Sequence, residues 1–65
     1  MITILVTHDC PHCSDAIAYY PEAEVIVLED LEPGERAAWC SEAIAAGWDL
    51  SYPCVIDGEG EIINA

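Results

Sequence analysis

The chain opens on an apolar run, Ile2-Thr3-Ile4-Leu5-Val6, and a second run of the same kind lies at Val25-Ile26-Val27-Leu28. Neither alternates apolar with polar residues. Continuous β-branched runs of this length read as strands buried on both faces, since a half-wet strand would carry a polar residue at every second position. That constrains the architecture. An open sheet must form, and the segments between the strands must supply helices that pack on it.

The intervening segments read accordingly. Asp9 or Cys10 can cap a helix with Pro11 in its first turn, where a missing N–H costs little. The helix is expected to reach about Tyr20, where Pro21 blocks it, with Tyr19 and Tyr20 anchoring it to the sheet. Residues Glu29 to Glu32 form an acidic loop. Pro33 opens a second helix, Glu35 falls in its favourable first turn, and Gly47 is a natural stop. Ala37, Cys40 and Ile44 recur at helical spacing and are expected to face the sheet. Tyr52 to Ile56 reads as a third strand, Asp57-Gly58-Glu59-Gly60 as a turn, and Glu61 to Asn64 as a short fourth strand. The order is β-α-β-α-β-β. The first β-α-β unit should be a right-handed parallel crossover and the last two strands an antiparallel hairpin. This is an α/β chain with a four-stranded mixed sheet.

With 65 residues, one domain spanning 1–65 is expected. A domain this small buries only about 60% of the surface its unfolded chain exposes, so its core is thin. At 54% hydrophobic residues, the chain is too apolar for a disordered acidic tail. Thirteen acidic residues stand against one arginine, Arg36, and no lysine, for a net charge of −12. Such a chain repels phosphate backbones and anionic lipid, which excludes direct nucleic-acid and membrane binding. The acidity fits a basic protein partner, a salt-rich interior, or simply a solvated acidic face. No basic leader precedes the first apolar run, which is too short to span a bilayer, so a cytoplasmic location is expected. In that compartment a cysteine pair is more often catalytic or metal-binding than a fixed staple.

The cysteine pair is Cys10-Pro11-His12-Cys13, placed between the first strand and the first helix. A thiol at a helix N-terminus is drawn toward its thiolate, from about 8.5 to as low as roughly 3.5–7.5. His12 adds to this effect when protonated, and Asp9 and Asp15 oppose it. Cys10 is the expected nucleophile and Cys13, nearer the helix interior, the resolving thiol. Two other readings stand beside this one. As a staple, a four-residue loop contributes only about 2 kcal/mol in the chain-entropy model. As a metal site, Cys10, Cys13, His8 or His12, and Cys54 offer thiolate and imidazole ligands for zinc or an iron–sulfur cluster, although the usual second CxxC is missing. Cys40 and Cys54 read as buried core thiols, and a disulfide between them stays open. Trp39 and Trp48 read as packing residues. His8, at the end of the first strand, is expected to line the dithiol. A non-catalytic acidic interaction module is a further alternative.

The element order, the CxxC after the first strand, and Tyr52-Pro53 opening the third strand resemble the thioredoxin superfamily, most closely small glutaredoxin-like proteins. The resemblance implies a minimal thioredoxin-like fold lacking the usual C-terminal helix, and a thiol–disulfide oxidoreductase activity. It implies that Cys10, Pro11, His12 and Cys13 are catalytic. It also implies a cis Pro53 beside the dithiol, with Tyr52, Pro53 and His8 meeting substrate. Because the final helix is missing, part of one sheet face is expected to be bare, which suggests a homodimer or a covering partner. Glutaredoxins bind glutathione partly through a basic residue near the CxxC and a Gly-Gly turn. This sequence has His8 and Asp9 before the motif and no Gly-Gly turn. The expected substrate is therefore a protein disulfide with a basic surface rather than glutathione, recharged by a separate reductase, with no cofactor.

Overall fold

The computed structural model describes residues 1–63. The two apolar runs form β1 (Thr3–Val6) and β2 (Glu24–Val27), joined by α1 (Cys13–Tyr19). α2 (Pro33–Ala45) follows, and β3 (Cys54–Ile56) completes the sheet. β1 is central, parallel to β2 on one side and antiparallel to β3 on the other. The α/β class and the mixed sheet match the sequence reading, but the sheet has three strands among the described residues rather than four. The expected strand over Glu61 to Asn64 is reduced to one antiparallel bridge, Ile56 to Ile62. Its partner β3 is only 3 residues long, because Pro53 has no N–H to give to a ladder. Asn64 lies outside the described residues. The turn before the bridge is as expected: the Asp57 carboxylate accepts the backbone N–H groups of Glu59 and Glu61, each at 2.9 Å.

Register sorts the core into two layers. Leu5 lies beside Ile26 and Cys54, and Ile4 beside Val25 and Val55. Leu5, Cys54 and Ile56 pack with Leu28, Ala43 and Trp48, whereas Ile4, Val6 and Val55 pack with Cys13. Successive strand residues point to opposite faces, so these clusters occupy opposite sides of the sheet. α2 covers the first through Ala43, with Trp39 and Cys40 half-buried beside it; α1 covers the second through Cys13, Ala16 and Tyr20. Each sheet face therefore carries a helix. Exposed apolar side chains remain at Ile17, Tyr19, Val25, Ile44 and Leu50. Ile4, Leu5 and Cys54 are fully buried, in keeping with a strand covered on both sides. β2 is less covered than its apolar run suggested. It is an edge strand, and Glu24 and Val25 are exposed.

The helix ends follow from local chemistry. α1 begins at Cys13, later than expected, with His12 as the N-cap residue and no side-chain cap. Pro11 instead sits in a turn closed by the Cys13 N–H donating to the Cys10 carbonyl at 3.2 Å. His12 at φ −82°, ψ −14° fits the third position of a type I turn, and proline favours the second. α2 begins with Pro33 at its first position and Glu35 in its first turn, as the sequence indicates. It ends in a Schellman motif: Gly47, at φ +101°, donates its N–H to Ile44, and Trp48 donates to Ala43. The helix is rotated from the expected phase. Ala37 is exposed and Ile44 is 54% exposed, while Trp39, Cys40 and Ala43 face inward. The Schellman motif accounts for this. It turns Trp48 into the core directly against the Ala43 side of the helix.

The stretch read as an acidic loop contains a single 3₁₀ turn, Leu28–Asp30. Arg36 holds it. Its Nε donates to the Leu28 carbonyl at 3.0 Å, and its Nη2 to the Leu31 and Glu29 carbonyls at 3.1 and 3.4 Å. The only arginine of the chain is thus occupied in fastening backbone.

Candidate functional site

The two motif cysteines are brought together by the type I turn. Such a turn brings the Cα atoms of its ends within 7 Å, and here they lie 5.4 Å apart, inside the range a disulfide spans. Cys10 and Cys13 are bonded to each other. The two sulfurs differ in setting. Cys13 is 4% exposed and belongs to the core beneath α1, with Ile4, Val6 and Val55. Cys10 is half-buried and packs at the margin of the same cluster. Cys13 is the first residue of α1 and its N–H is spent closing the turn to Cys10, so Cys10 lies before the first turn of the helix rather than within it. This corrects the expectation that Cys10 itself sits in the helix N-terminus.

The loop after α2 forms the other side of the site. The Trp48 indole N–H donates to the Ser51 carbonyl at 2.8 Å, and its ring meets Tyr52 edge to face at 5.4 Å. The Asp49 carboxylate accepts the Ser51 N–H at 3.1 Å and also the Ser51 hydroxyl, an Asx turn that holds it below the usual carboxylate range. Leu50, between them, has φ +69°. The peptide bond from Tyr52 to Pro53 is cis, as the resemblance implies. Tyr52 packs against both apolar clusters, including the one holding Cys10 and Cys13. Burial raises its phenol above the ordinary 10.0, so it stays neutral and offers an O–H.

Between α1 and this loop runs an open groove of about 660 Å³. His12, Asp15, Tyr19 and Tyr20 line one side; Asp49, Ser51, Tyr52 and Pro53 line the other. His12, Tyr52 and Pro53 are therefore brought together beside the dithiol turn. Pro11 is exposed in the turn itself. Sequence reading missed Asp15 and Asp49 as groove residues and took Tyr19 for an anchor. Tyr20 is the half-buried anchor, and Tyr19 is 76% exposed. The Asp49-Leu50-Ser51 spacing was a usable signal, because an aspartate two residues before a serine is a common Asx-turn pattern.

His8 does not join the groove lining. Its Nε2 meets an Asp30 carboxylate oxygen at 2.9 Å, and its backbone N–H donates to the Glu29 carboxylate, which also accepts the Thr7 hydroxyl. The Asp30 hydrogen bond and charge, aided by Glu29, raise the His8 pKa above 6.5. The Thr7 and His8 donors hold Glu29 below its ordinary range. These contacts tie the segment entering the motif to the 3₁₀ turn, which Arg36 fastens in turn. The structure therefore gives His8 a fastening contact with Asp30 and places it outside the groove lined by His12, Tyr52 and Pro53.

The metal reading offered Cys10, Cys13, His8 or His12, and Cys54 as ligands, of which only His12 joins the two motif cysteines in the dithiol turn. Cys54 points to the α2 side of the sheet and Cys13 to the α1 side, while His8 is engaged with Asp30. Among the described residues no three His, Cys, Asp or Glu side chains converge as a metal site. Cys40 and Cys54 are both free thiols. Burial pushes the Cys54 thiol above its usual 9.0. No helix among the described residues is long and apolar enough to cross a membrane. Comparison with protein-family models, curated proteins and solved structures gives no match.

Proposed function

We propose that this chain is a thioredoxin-like, glutaredoxin-type thiol–disulfide oxidoreductase that exchanges its Cys10–Cys13 couple with a protein disulfide. The observation that carries the reading is the asymmetry of the couple: Cys10 is half-buried at the turn, and Cys13 is 4% exposed beneath α1. Attack on an incoming disulfide requires an accessible sulfur, whereas resolution requires only a sulfur next to the first. The parallel β1-α1-β2 unit, the antiparallel β3 and the cis Pro53, which shares a groove with His12 of the motif, support a thioredoxin-like topology.

In the reduced protein, the Cys10 thiolate attacks one sulfur of the substrate disulfide. A mixed disulfide forms and the other substrate sulfur leaves as a thiolate, taking a proton from water. Cys13 then loses its proton and attacks the Cys10 sulfur. The second substrate thiolate leaves, and the Cys10–Cys13 disulfide closes. Two electrons pass to the substrate, and a dithiol reductant from outside the chain must restore the couple. His12, when protonated, favours the Cys10 thiolate, which stabilises the reduced form and makes the couple more oxidising. Tyr52 and Pro53 border the groove in which substrate backbone would lie. In a cytoplasmic setting the couple would run in the reducing direction.

The test is a stoichiometric exchange. Reduced protein, freed of reductant, is mixed with a peptide cyclised through one disulfide. The wild type is expected to open one peptide ring per molecule and finish with Cys10 bonded to Cys13. Failure to open the ring, or equal opening by Cys10→Ser, would overturn the proposal.

A further inference from the structure

The groove beside the dithiol carries an uneven charge. Its ionisable side chains are Asp15 on the α1 side, Asp49 on the loop side, and His12 at the turn, besides the tyrosine phenols. The one arginine of the chain is fastened to carbonyls of the 28–31 segment, and the chain has no lysine. No lysine or arginine side chain therefore lines the groove to balance the two carboxylates. Asp49 is not free to swing away, because its carboxylate is held by both the N–H and the hydroxyl of Ser51. Around the acids stand aromatic and apolar groups: Tyr19, Tyr20, Tyr52 and Pro53. Aromatic faces beside carboxylates suit the long alkyl stem and charged head of a lysine or arginine, which gains from both.

Resting on the oxidoreductase reading above, we infer that Asp15 and Asp49 are specificity-determining residues that select an extended peptide segment carrying a lysine or arginine next to its reactive cysteine. The same pair selects against anionic thiols, glutathione among them. The selection is local to the groove and separate from the general field of a chain with net charge −12. Two exposed ion pairs acting together are worth roughly fivefold in discrimination.

Two reactive peptides test the inference, each bearing one cysteine capped as a mixed disulfide with thionitrobenzoate. One has lysine on both sides of the cysteine, the other glutamate. The exchange-rate ratio, lysine over glutamate, is compared among three proteins: wild type, Asp15→Asn/Asp49→Asn, and Glu35→Gln/Glu42→Gln. The last pair lies on α2 outside the groove, and removes the same charge. Asparagine retains the side-chain oxygen that accepts from Ser51, so the Asx turn survives. The ratio is expected to exceed about tenfold in the wild type, to stay within twofold of that in the α2 variant, and to fall about fivefold in the groove variant. Serine versions of both peptides, which cannot exchange, are titrated by calorimetry and should follow the same order. Equal falls in the two variants, or no fall in the groove variant, would overturn the inference. If no peptide exchanges but the serine peptides keep their order, the redox reading fails and the groove assignment stands. If exchange proceeds without preference in either measurement, the groove assignment fails alone.

Discussion

Gly47 offers a clean test of how the site is positioned. Its φ of +101° ends α2 and sends Trp48 into the core, where the Trp48 indole holds Ser51 and its ring supports Tyr52. A methyl group at Gly47 would meet nothing within 4 Å, so Gly47→Ala carries no steric clash, only a backbone cost. An L-residue pays about 1–2 kcal/mol in left-handed conformations. The loss of unfolded-chain freedom returns about 0.4–1 kcal/mol, leaving a net loss near 1 kcal/mol. For a domain of this size that lowers Tm by about 4–8 °C. Gly34 is the control. It lies in the first turn of α2 without a positive φ, and a methyl there also meets nothing within 4 Å. Gly34→Ala is expected to stabilise by about 0.5 kcal/mol, because alanine is the better helix former. Thermal unfolding followed by circular dichroism reads both. The same added methyl should move Tm in opposite directions. A Gly47→Ala protein as stable as the wild type would refute the Schellman ending and the placement of Trp48 that depends on it.

Further outcomes follow from the same packing and electrostatics. Leu5→Ala removes a fully buried side chain from the central strand and should cost about 2–5 kcal/mol, read as a lowered urea midpoint. The His8 pKa is raised in the folded state by Asp30, so the pair's contribution is fully present below pH 6.5 and is lost as pH rises through the higher folded value. Urea titrations across that range should show a decline in the wild type that His8→Asn lacks. Cys54 is fully buried with a raised thiol pKa, so iodoacetamide should leave it unmodified in the folded protein and label it after unfolding, as read by peptide mass mapping.

Much of the sheet was legible because unbroken β-branched and apolar runs such as Ile4-Leu5-Val6 signal a strand covered on both faces, and the residues of that run do face alternate clusters. The start of α1 was not, because Pro11 suits both the first position of a helix and the second position of a type I turn. Only the Cys10–Cys13 hydrogen bond decides between them. The phase of α2 was misread since alanines punctuate it throughout, and Ile44 outweighs Ala43 in any hydrophobic pattern. The Gly47–Trp48 ending, a tertiary choice, fixes which side faces in. At the site, the cysteine pair and the cis Pro53 were readable, but the groove was not. Asp15 and Asp49 are distant in sequence, and they become opposite walls only when the loop folds around Trp48. The partner of His8 was hidden for a similar reason, since Asp30 lies in a turn that reads as plain acidic loop.

The central claim is that Cys10 attacks and Cys13 resolves. Intact-mass analysis of reduced Cys10→Ser and Cys13→Ser proteins, each treated briefly with a one-disulfide peptide, tests it most directly. The account predicts a peptide adduct on Cys10 in the Cys13→Ser protein and almost none on Cys13 in the Cys10→Ser protein, because Cys13 is 4% exposed. Equal adducts on both, or an adduct on Cys13 alone, would contradict it.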